Sequence, residues 1–240
     1  MRRVFEKLDF FSKRRVFVCG DLHGEYQKLE EALFDVGFDT SQDVLISVGD
    51  LVDRGSDSEV FEHYIKQPWF YRVVGNHDDQ PREYLLGYES KENVEHNGGK
   101  WFLDKSREEQ ERIASLLEDA PIALEVITPG GHTIGITHAD TGSRWDHLAE
   151  QCRDPGLERQ LVNRLTGSRE VIRTVQYDLK QGVTEFSNEF RVWGIDHVFH
   201  GHTPVDDILT VTNRTWIDTG AFDPKGKLTV LDVDHFLNTL

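Results

Sequence analysis

Aspartate, histidine and asparagine gather in three short phrases, each placed just after an apolar run: Gly20-Asp21-Leu22-His23-Gly24, Gly49-Asp50-Leu51-Val52-Asp53-Arg54-Gly55 and Gly75-Asn76-His77-Asp78. Two later phrases, Thr137-His138-Ala139-Asp140 and Gly201-His202-Thr203, put a histidine in the same setting. Carboxylate and amide oxygen mixed with imidazole nitrogen suits Mn, Fe or Zn. Asp21 and His23 stand two apart, so at a strand end both can face one ion. Asp50 has two oxygens and can bridge two ions. Asn76 offers a neutral carbonyl oxygen, and His138 and His202 can complete a second ion's shell. Two ions about 3.5–4 Å apart would clamp a bridging water, lower its pKa and hold a phosphate for in-line attack. The chemistry this pattern predicts is two-metal hydrolysis of a phosphoester. Each piece alone is weak, since an aspartate after glycine at a strand end is commonly a turn or cap residue. The ordered set carries the inference.

Residues this scattered meet only if a rigid scaffold aims them from loops at its strand ends. Val16 to Cys19, Val44 to Val48 and Phe70 to Val74 read as buried strands ending at Gly20, Gly49 and Gly75. Between them, residues 25–36 (apolar at Tyr26, Leu29, Leu33 and Val36) and 57–66 (Val60, Phe61, Tyr64 and Ile65) have helical spacing. The alternation implies an α/β class with a βαβαβ first half and right-handed crossovers. Its strand C-termini then share one edge, where open α/β sheets take ligands. Ser106 with Glu109 forms a capping box that opens a helix to about Glu118. Ile122 to Ile127 and Thr133 to Thr137 flank Pro129-Gly130-Gly131 as a hairpin. Residues 144–193 are mostly polar with helical spacing, broken at Pro155-Gly156. Val198–Phe199, Ile208 to Thr212, Thr215 to Ile217 and Leu228 to Val233 read as strands of a second, mixed or antiparallel sheet. No repeat, low-complexity tract or linker divides the chain, so residues 1–240 are expected to form a single domain.

Charge narrows the partners. With 27 basic against 43 acidic residues the formal net charge is −16. Such a surface repels nucleic-acid backbones, so no nucleic-acid partner is expected. A phosphate must then be met by a local patch of positive charge. No apolar run approaches the roughly 18 residues of a membrane span. Glu6, Lys7 and Asp9 interrupt the segment after the early arginines, which is unlike a signal peptide. The expectation is a cytoplasmic protein with no membrane partner. Cys19 and Cys152 lie far apart without CxxC spacing, against a disulfide framework or a thiolate zinc site.

The order GDxHG, GDxVDRG, GNH and two later histidines resembles the phosphoprotein phosphatase family of calcineurin-like metallophosphoesterases. Within it the likeness is strongest to the bacteriophage lambda-type serine/threonine phosphatases and their bacterial relatives. It extends to Leu45-Ile-Ser-Val-Gly-Asp50, Asn97-Gly98-Gly99 with Trp101-Phe102, Gly201-His-Thr-Pro204 and Ile217-Asp-Thr-Gly-Ala221. It covers roughly residues 4–104, 122–140 and 196–233, and residues 141–195 match poorly.

The resemblance implies a two-sheet β-sandwich flanked by helices, with metals at one edge. It implies two divalent transition-metal ions, Mn first, with Fe and Zn accepted. Asp21, His23 and Asp50 would hold the first; Asp50, Asn76, His138 and His202 would hold the second. Arg54, with Asn76, would bind substrate phosphate, and His77 would give a proton to the leaving oxygen with Asp53 orienting it. Relatives carry a second phosphate-binding arginine in a Trp-x-Arg phrase that this chain lacks. Leu165-Thr-Gly-Ser-Arg169-Glu-Val-Ile172 has the nearest shape, so Arg169 is expected there, with Arg164 and Arg173 as rivals. Asp140 and Asp218 are candidates to support the ligands, and His200 could share the face of His202. His63, His96, His132, His147, His197 and His235 have no ligand-like setting.

The implied activity is hydrolysis of phosphoserine, phosphothreonine or phosphotyrosine in proteins and peptides. The alternative is symmetrical diadenosine tetraphosphate hydrolysis, but that group typically lacks the aspartate before Arg-Gly, so Asp53 favours the phosphatase. A non-catalytic phosphoprotein-binding scaffold would have lost ligands, and here all six positions, His77 and Arg54 are present.

Overall fold

The computed structural model describes residues 3–154 and 156–240, so one half of the expected break at Pro155-Gly156 lies outside the described residues. Among the described residues, ten strands form two sheets. They are β1 (Phe5–Asp9), β2 (Val16–Cys19), β3 (Val44–Ser47), β4 (Phe70–Arg72), β5 (Ala123–Ile127), β6 (Thr133–Thr137), β7 (His197–His200), β8 (Leu209–Val211), β9 (Arg214–Trp216) and β10 (Val230–Asp232). One sheet has the order β10-β2-β3-β4, the other β1-β5-β6-β7-β9-β8.

The continuous apolar runs of β2 and β3 are explained by burial on both faces. Phe17, Cys19 and Leu45 face a helical layer through Tyr26, Leu29, Phe61, Phe102, Ile113 and Leu117. Val16, Val18, Val44 and Ile46 alternate with them and meet the other sheet through Leu124, Val126, Ile134, Ile136 and Phe199. The helices of that layer are α1 (Tyr26–Asp35), α2 (Phe61–Tyr64), α3 (Asn76–Leu85), α4 (Lys91–His96), α5 (Lys100–Leu103) and α6 (Arg107–Glu118). The far side of the second sheet is covered by α7 (Trp145–Gln151), α8 (Glu158–Gly167) and α9 (Glu170–Lys180). A short α10 (Val233–Leu237) follows β10. The sandwich flanked by helices and the βαβαβ first half are both present, with β2, β3 and β4 parallel.

Several elements differ from the sequence reading. The Leu228 to Val233 strand does not join the second sheet; Val230–Asp232 pairs antiparallel with β2 in the first, Leu231 opposite Val18. The helix expected over 57–66 is a 3-10 turn, Ser58–Val60, followed by the single turn of α2. The unexpected α3 opens directly on the third phrase, at Asn76. The Ser106 capping box of α6 is as expected, with the Glu109 N–H donating to Ser106 Oγ at 3.3 Å and the Ser106 N–H to Glu109 Oε2 at 3.2 Å. The second sheet is mixed, since β5 and β6 are antiparallel and β6 and β7 parallel.

One buried carboxylate ties the first βαβ unit together. Asp43 accepts from Arg14 Nε at 2.7 Å, Arg15 Nη2 at 2.8 Å and the Asp39 N–H at 2.9 Å. The same Arg15 donates to the carbonyls of Val36 and Gly37 at the end of α1. Burial works to raise the Asp43 carboxyl, but the two arginines outweigh it and hold it at about 2. A depressed folded-state pKa adds stability that is present above the ordinary value near 3.8 and lost as the pH falls through about 2. Asp43→Asn should therefore lower unfolding stability by about 2–3 kcal/mol at pH 7. Urea unfolding should show that difference shrinking between pH 4 and pH 2, and a difference independent of pH would contradict the assignment.

Candidate active site

The phrases emerge from the C-terminal ends of β2, β3 and β4 and from β6 and β7 of the other sheet. Their backbone is bent sharply. His23, Asp50, Asp53, Arg54 and His202 all have φ between 46° and 72°, the left-handed region that costs a non-glycine residue energy. Two glycines allow the loops to close on one another. A Cβ at Gly75 would stand 2.1 Å from Asp50 Oδ1, and one at Gly201 would stand 2.0 Å from Asp21 Oδ1.

Asp50 is the common member of two buried groups. Ligating atoms of His23, Asp50 and His77 lie within 4.8 Å of one another, as do those of Asp50, His138 and His202. Asp50 Oδ2 is 3.6 Å from His23 Nε2 and 3.3 Å from His138 Nε2. Asn76 Oδ1 stands 3.1 Å from His138 Nε2. Asp21 Oδ2 accepts the His202 N–H at 3.0 Å. The structure thus brings Asp21, His23, Asp50, Asn76, His138 and His202 to one place.

Each imidazole is held by a carbonyl on its other side. His23 Nδ1–H donates to Val52 O at 2.9 Å, His138 Nδ1–H to Val48 O at 2.8 Å, and His202 Nε2–H to Gly167 O at 3.1 Å. A carbonyl only accepts, so the remaining nitrogen presents a lone pair inward. Burial lowers both His23 and His202 to about 3, which keeps them neutral. Asp21 is pushed well up by burial, then by Asp218 and Asp50. At Asp50 burial pushes upward too, but His138 outweighs it and holds the carboxyl well down, while Asp50 raises His138 in return. Carboxylates, an amide oxygen and imidazole lone pairs converge in a buried, acceptor-rich site, and divalent cations balance such a set. The residues present fit divalent metal ions.

Beside this cluster lies an acid–base pair. Asp53 Oδ2 accepts from His77 Nδ1 at 2.8 Å, and Trp101 Nε1 donates to Asp53 Oδ1 at 2.7 Å. The His77 N–H donates to Asp50 Oδ1 at 2.9 Å, which fixes the pair relative to the cluster. The Arg54 guanidinium spans the mouth, with Nη2 2.8 Å from His77 Nε2 and Nη1 3.2 Å from His23 Nε2. It stacks 4.8 Å over the Phe222 ring.

Arg169 comes to this place as well, with Nη2 donating to His202 O at 3.3 Å. Burial lowers its pKa most, followed by the nearby charges of Arg173 and Arg54. Asp140 Oδ2 accepts from Ser168 Oγ and from the Val171 N–H, both at 3.0 Å, and so clamps the residues around Arg169. Arg164 turns instead to Gln151 Oε1 at 3.2 Å. Asp218 lies beside Asp21, its Oδ1 accepting the Gly220 N–H at 3.0 Å.

His200 does not share the face of His202. It is buried, with Nδ1 3.0 Å from Thr137 Oγ1 and its ring stacked on Trp216. The left-handed turn at His202 breaks the strand alternation that would have put the two side by side. Two supporting residues carry roles the sequence reading did not assign. Trp101 steadies Asp53. Asp78 joins the second phrase to the third, accepting the Leu51 N–H at 2.9 Å and the Gly75 N–H at 3.0 Å. Their signals were position in phrases alone: Asp78 closes the third phrase, and Trp101 stands in the stretch of Asn97-Gly98-Gly99 with Trp101-Phe102.

Buried acceptors at the strand ends of a two-sheet sandwich, with a histidine–aspartate pair and an arginine fork at their mouth, define a metal-dependent phosphoester hydrolase. Residues 14–206 match the Calcineurin-like phosphoesterase family, and the chain belongs to it. The chain is 31% identical over 227 residues to serine/threonine-protein phosphatase 2 of Escherichia coli (strain K12), covering 90% of this chain and 92% of that relative. It is 42% identical over 64 residues to a symmetrical bis(5'-nucleosyl)-tetraphosphatase of Proteus mirabilis (strain HI4320), covering 26% of this chain and 23% of that relative. Among solved structures, a candidate diadenosine tetraphosphatase shares the fold with a TM-score of 0.61 at 19% identity, over 95% of this chain and 97% of the other.

Proposed function

We propose that the protein is a phosphoprotein phosphatase acting on phosphoserine and phosphothreonine, and on phosphotyrosine, with the chain working as one domain in the cytoplasm. The observation that carries the reading is the 2.8 Å contact between His77 and Asp53 beside Arg54. A seryl or threonyl alkoxide is a poor leaving group and needs a proton as it departs. A nucleoside phosphate leaves as a stable anion and needs none. A buried histidine–aspartate pair therefore serves the phosphomonoester better than the tetraphosphate. The similarity to a protein phosphatase along most of both chains supports the same choice. Among the described residues no helix is long and apolar enough to cross a membrane.

Asp21, His23 and Asp50 would hold one divalent ion, and Asp50, Asn76, His138 and His202 the other, with Mn the leading candidate and Fe or Zn accepted by the same donors. Such ions, when bound, neutralise a phosphate and acidify water next to it. The chain's own groups do the rest. The Arg54 donors now on His77 and His23 are the ones a phosphate dianion would take, leaving His77 Nε2 free to face the leaving oxygen. Arg169 and the Asn76 amide would hold the remaining phosphate oxygens. A proton on Nε2 passes to the leaving oxygen, and Asp53, on the opposite side of the ring, balances its charge.

A substrate panel tests the proposal. Metal-loaded protein should hydrolyse a phosphoserine peptide with a kcat/KM well above that for diadenosine tetraphosphate, and the reverse order would overturn it. The phosphate contact is tested separately. Arg169→Ala should raise KM and weaken inhibition by inorganic phosphate roughly tenfold to a few hundredfold with metal content intact. Arg164→Ala and Arg173→Ala should be near neutral. The penalty falling on Arg164 or Arg173 would move the assignment.

A further inference from the structure

Phe222 directly follows the Ile217-Asp-Thr-Gly-Ala221 phrase, in the loop between β9 and β10. Among the described residues it packs into none of the apolar clusters that join the layers. It is partly exposed and borders a hollow of about 390 Å³ with Pro204 and Val205. Its close neighbours are groups of the site. The Arg54 guanidinium lies over its face at 4.8 Å. The His23 ring meets it edge-on, with centroids 5.2 Å apart and planes at 88°. A place in the core therefore does not explain this ring.

The loop is tied so that the ring stays there. The Asp223 N–H donates to Gly220 O and the Gly226 N–H to Asp223 O, both at 2.9 Å. Thr219 Oγ1 closes the base of the loop on Lys227 O at 2.7 Å. From α1, Lys28 Nζ donates to the carbonyl of Ala221 and reaches that of Asp223 at 3.4 Å, so one ammonium grips the backbone on both sides of Phe222. Arg54 is in the opposite condition. It is exposed, and a free arginine side chain has many rotamers to lose. It rests on two imidazole nitrogens and on the Phe222 ring.

Under the proposed function both imidazole contacts are given up. His23 Nε2 is the lone pair offered to an ion, and His77 Nε2 has to face the leaving oxygen. The stack is compatible with bound phosphate, because it uses the face of the guanidinium while phosphate takes the N–H groups at its edge. We propose that Phe222 is a positioning residue, which holds the Arg54 fork in place for phosphate as its donors leave the imidazoles. The inference rests on the reading of Arg54 as a phosphate ligand. A cation over an aromatic face within about 6 Å corresponds to about threefold to thirtyfold in affinity. The ring acts only through Arg54, so its effect should vanish when the guanidinium is absent.

The test is the affinity of Mn²⁺-loaded protein for inorganic phosphate, measured by calorimetry, together with KM for a phosphoserine peptide. Phe222→Ala should weaken phosphate binding about threefold to thirtyfold and raise KM by a similar factor, with metal content and melting temperature kept. Phe222→Tyr should recover most of that loss. Phe222→Leu, apolar but without an aromatic face, should not. In an Arg54→Ala background, Phe222→Ala should cost less than about twofold more. Unchanged phosphate affinity in Phe222→Ala, full recovery by Phe222→Leu, or an equal loss with and without Arg54 would overturn the inference while leaving the phosphatase reading in place. Loss of metal from Phe222→Ala, with phosphate affinity kept on reloading, would make the ring a support for His23 and overturn it too. Arg54→Ala with unaltered phosphate affinity would instead overturn the reading of Arg54, and this inference with it.

Discussion

Asp50→Asn should leave a folded protein whose turnover is at background. The substitution keeps the side chain's shape and removes its charge. Asp50 Oδ2 is the atom that faces both His23 and His138, so the neutral amide weakens both ligand groups at once. Its Oδ1 also accepts the His77 N–H, so an amide nitrogen there would set donor against donor. Losing several kcal/mol of charge stabilisation corresponds to about 10³-fold or more in kcat/KM. Elemental analysis should find at least one ion lost per chain, and circular dichroism should match the unaltered protein. Asp50→Asn protein with full metal content and near-normal kcat would mean that Asp50 bridges nothing.

The second large effect depends on the leaving group. His77→Asn should lower kcat by roughly 10²–10⁴ on a phosphoserine peptide, the usual value of a positioned general acid. On p-nitrophenyl phosphate the loss should be much smaller, because p-nitrophenolate departs with little need of a proton. Asp53→Asn should show the same pattern, since Asp53 acts only through His77 and accepts from it at 2.8 Å. Equal losses on both substrates would make His77 a positioning residue for Asp50 and Arg54 instead.

The parts of the molecule legible in the sequence are those where local chemistry decides the outcome. Val16–Cys19 and Val44–Ser47 are apolar on both faces because a helix layer and a second sheet cover them. A continuous run records that directly. The Ser106–Glu109 box closes its hydrogen bonds within four residues, so it also reads locally. Helix α3 did not, because Asn76 to Glu83 is mostly polar, and Pro81 sits within it. The sheet that β10 joins was hidden, because Val230–Asp232 is half-buried and its partner β2 lies more than two hundred residues earlier. The six proposed ligands were visible as residue types in phrases. Their convergence rests on left-handed backbone at His23, Asp50 and His202, which glycine-flanked loops suggest and only the fold displays. Around Arg169 the familiar phrase is absent. What brings that arginine to His202 is the clamp from Asp140 across 31 residues to Val171, a long-range contact with no local signature.

The most direct measurement is the metal content of the purified protein, taken with its dependence on chelation. About two transition-metal ions should be found per chain; stripping them should abolish hydrolysis of p-nitrophenyl phosphate and of a phosphoserine peptide, and Mn²⁺ should restore both. Protein with no bound transition metal whose turnover is indifferent to chelators would contradict the account.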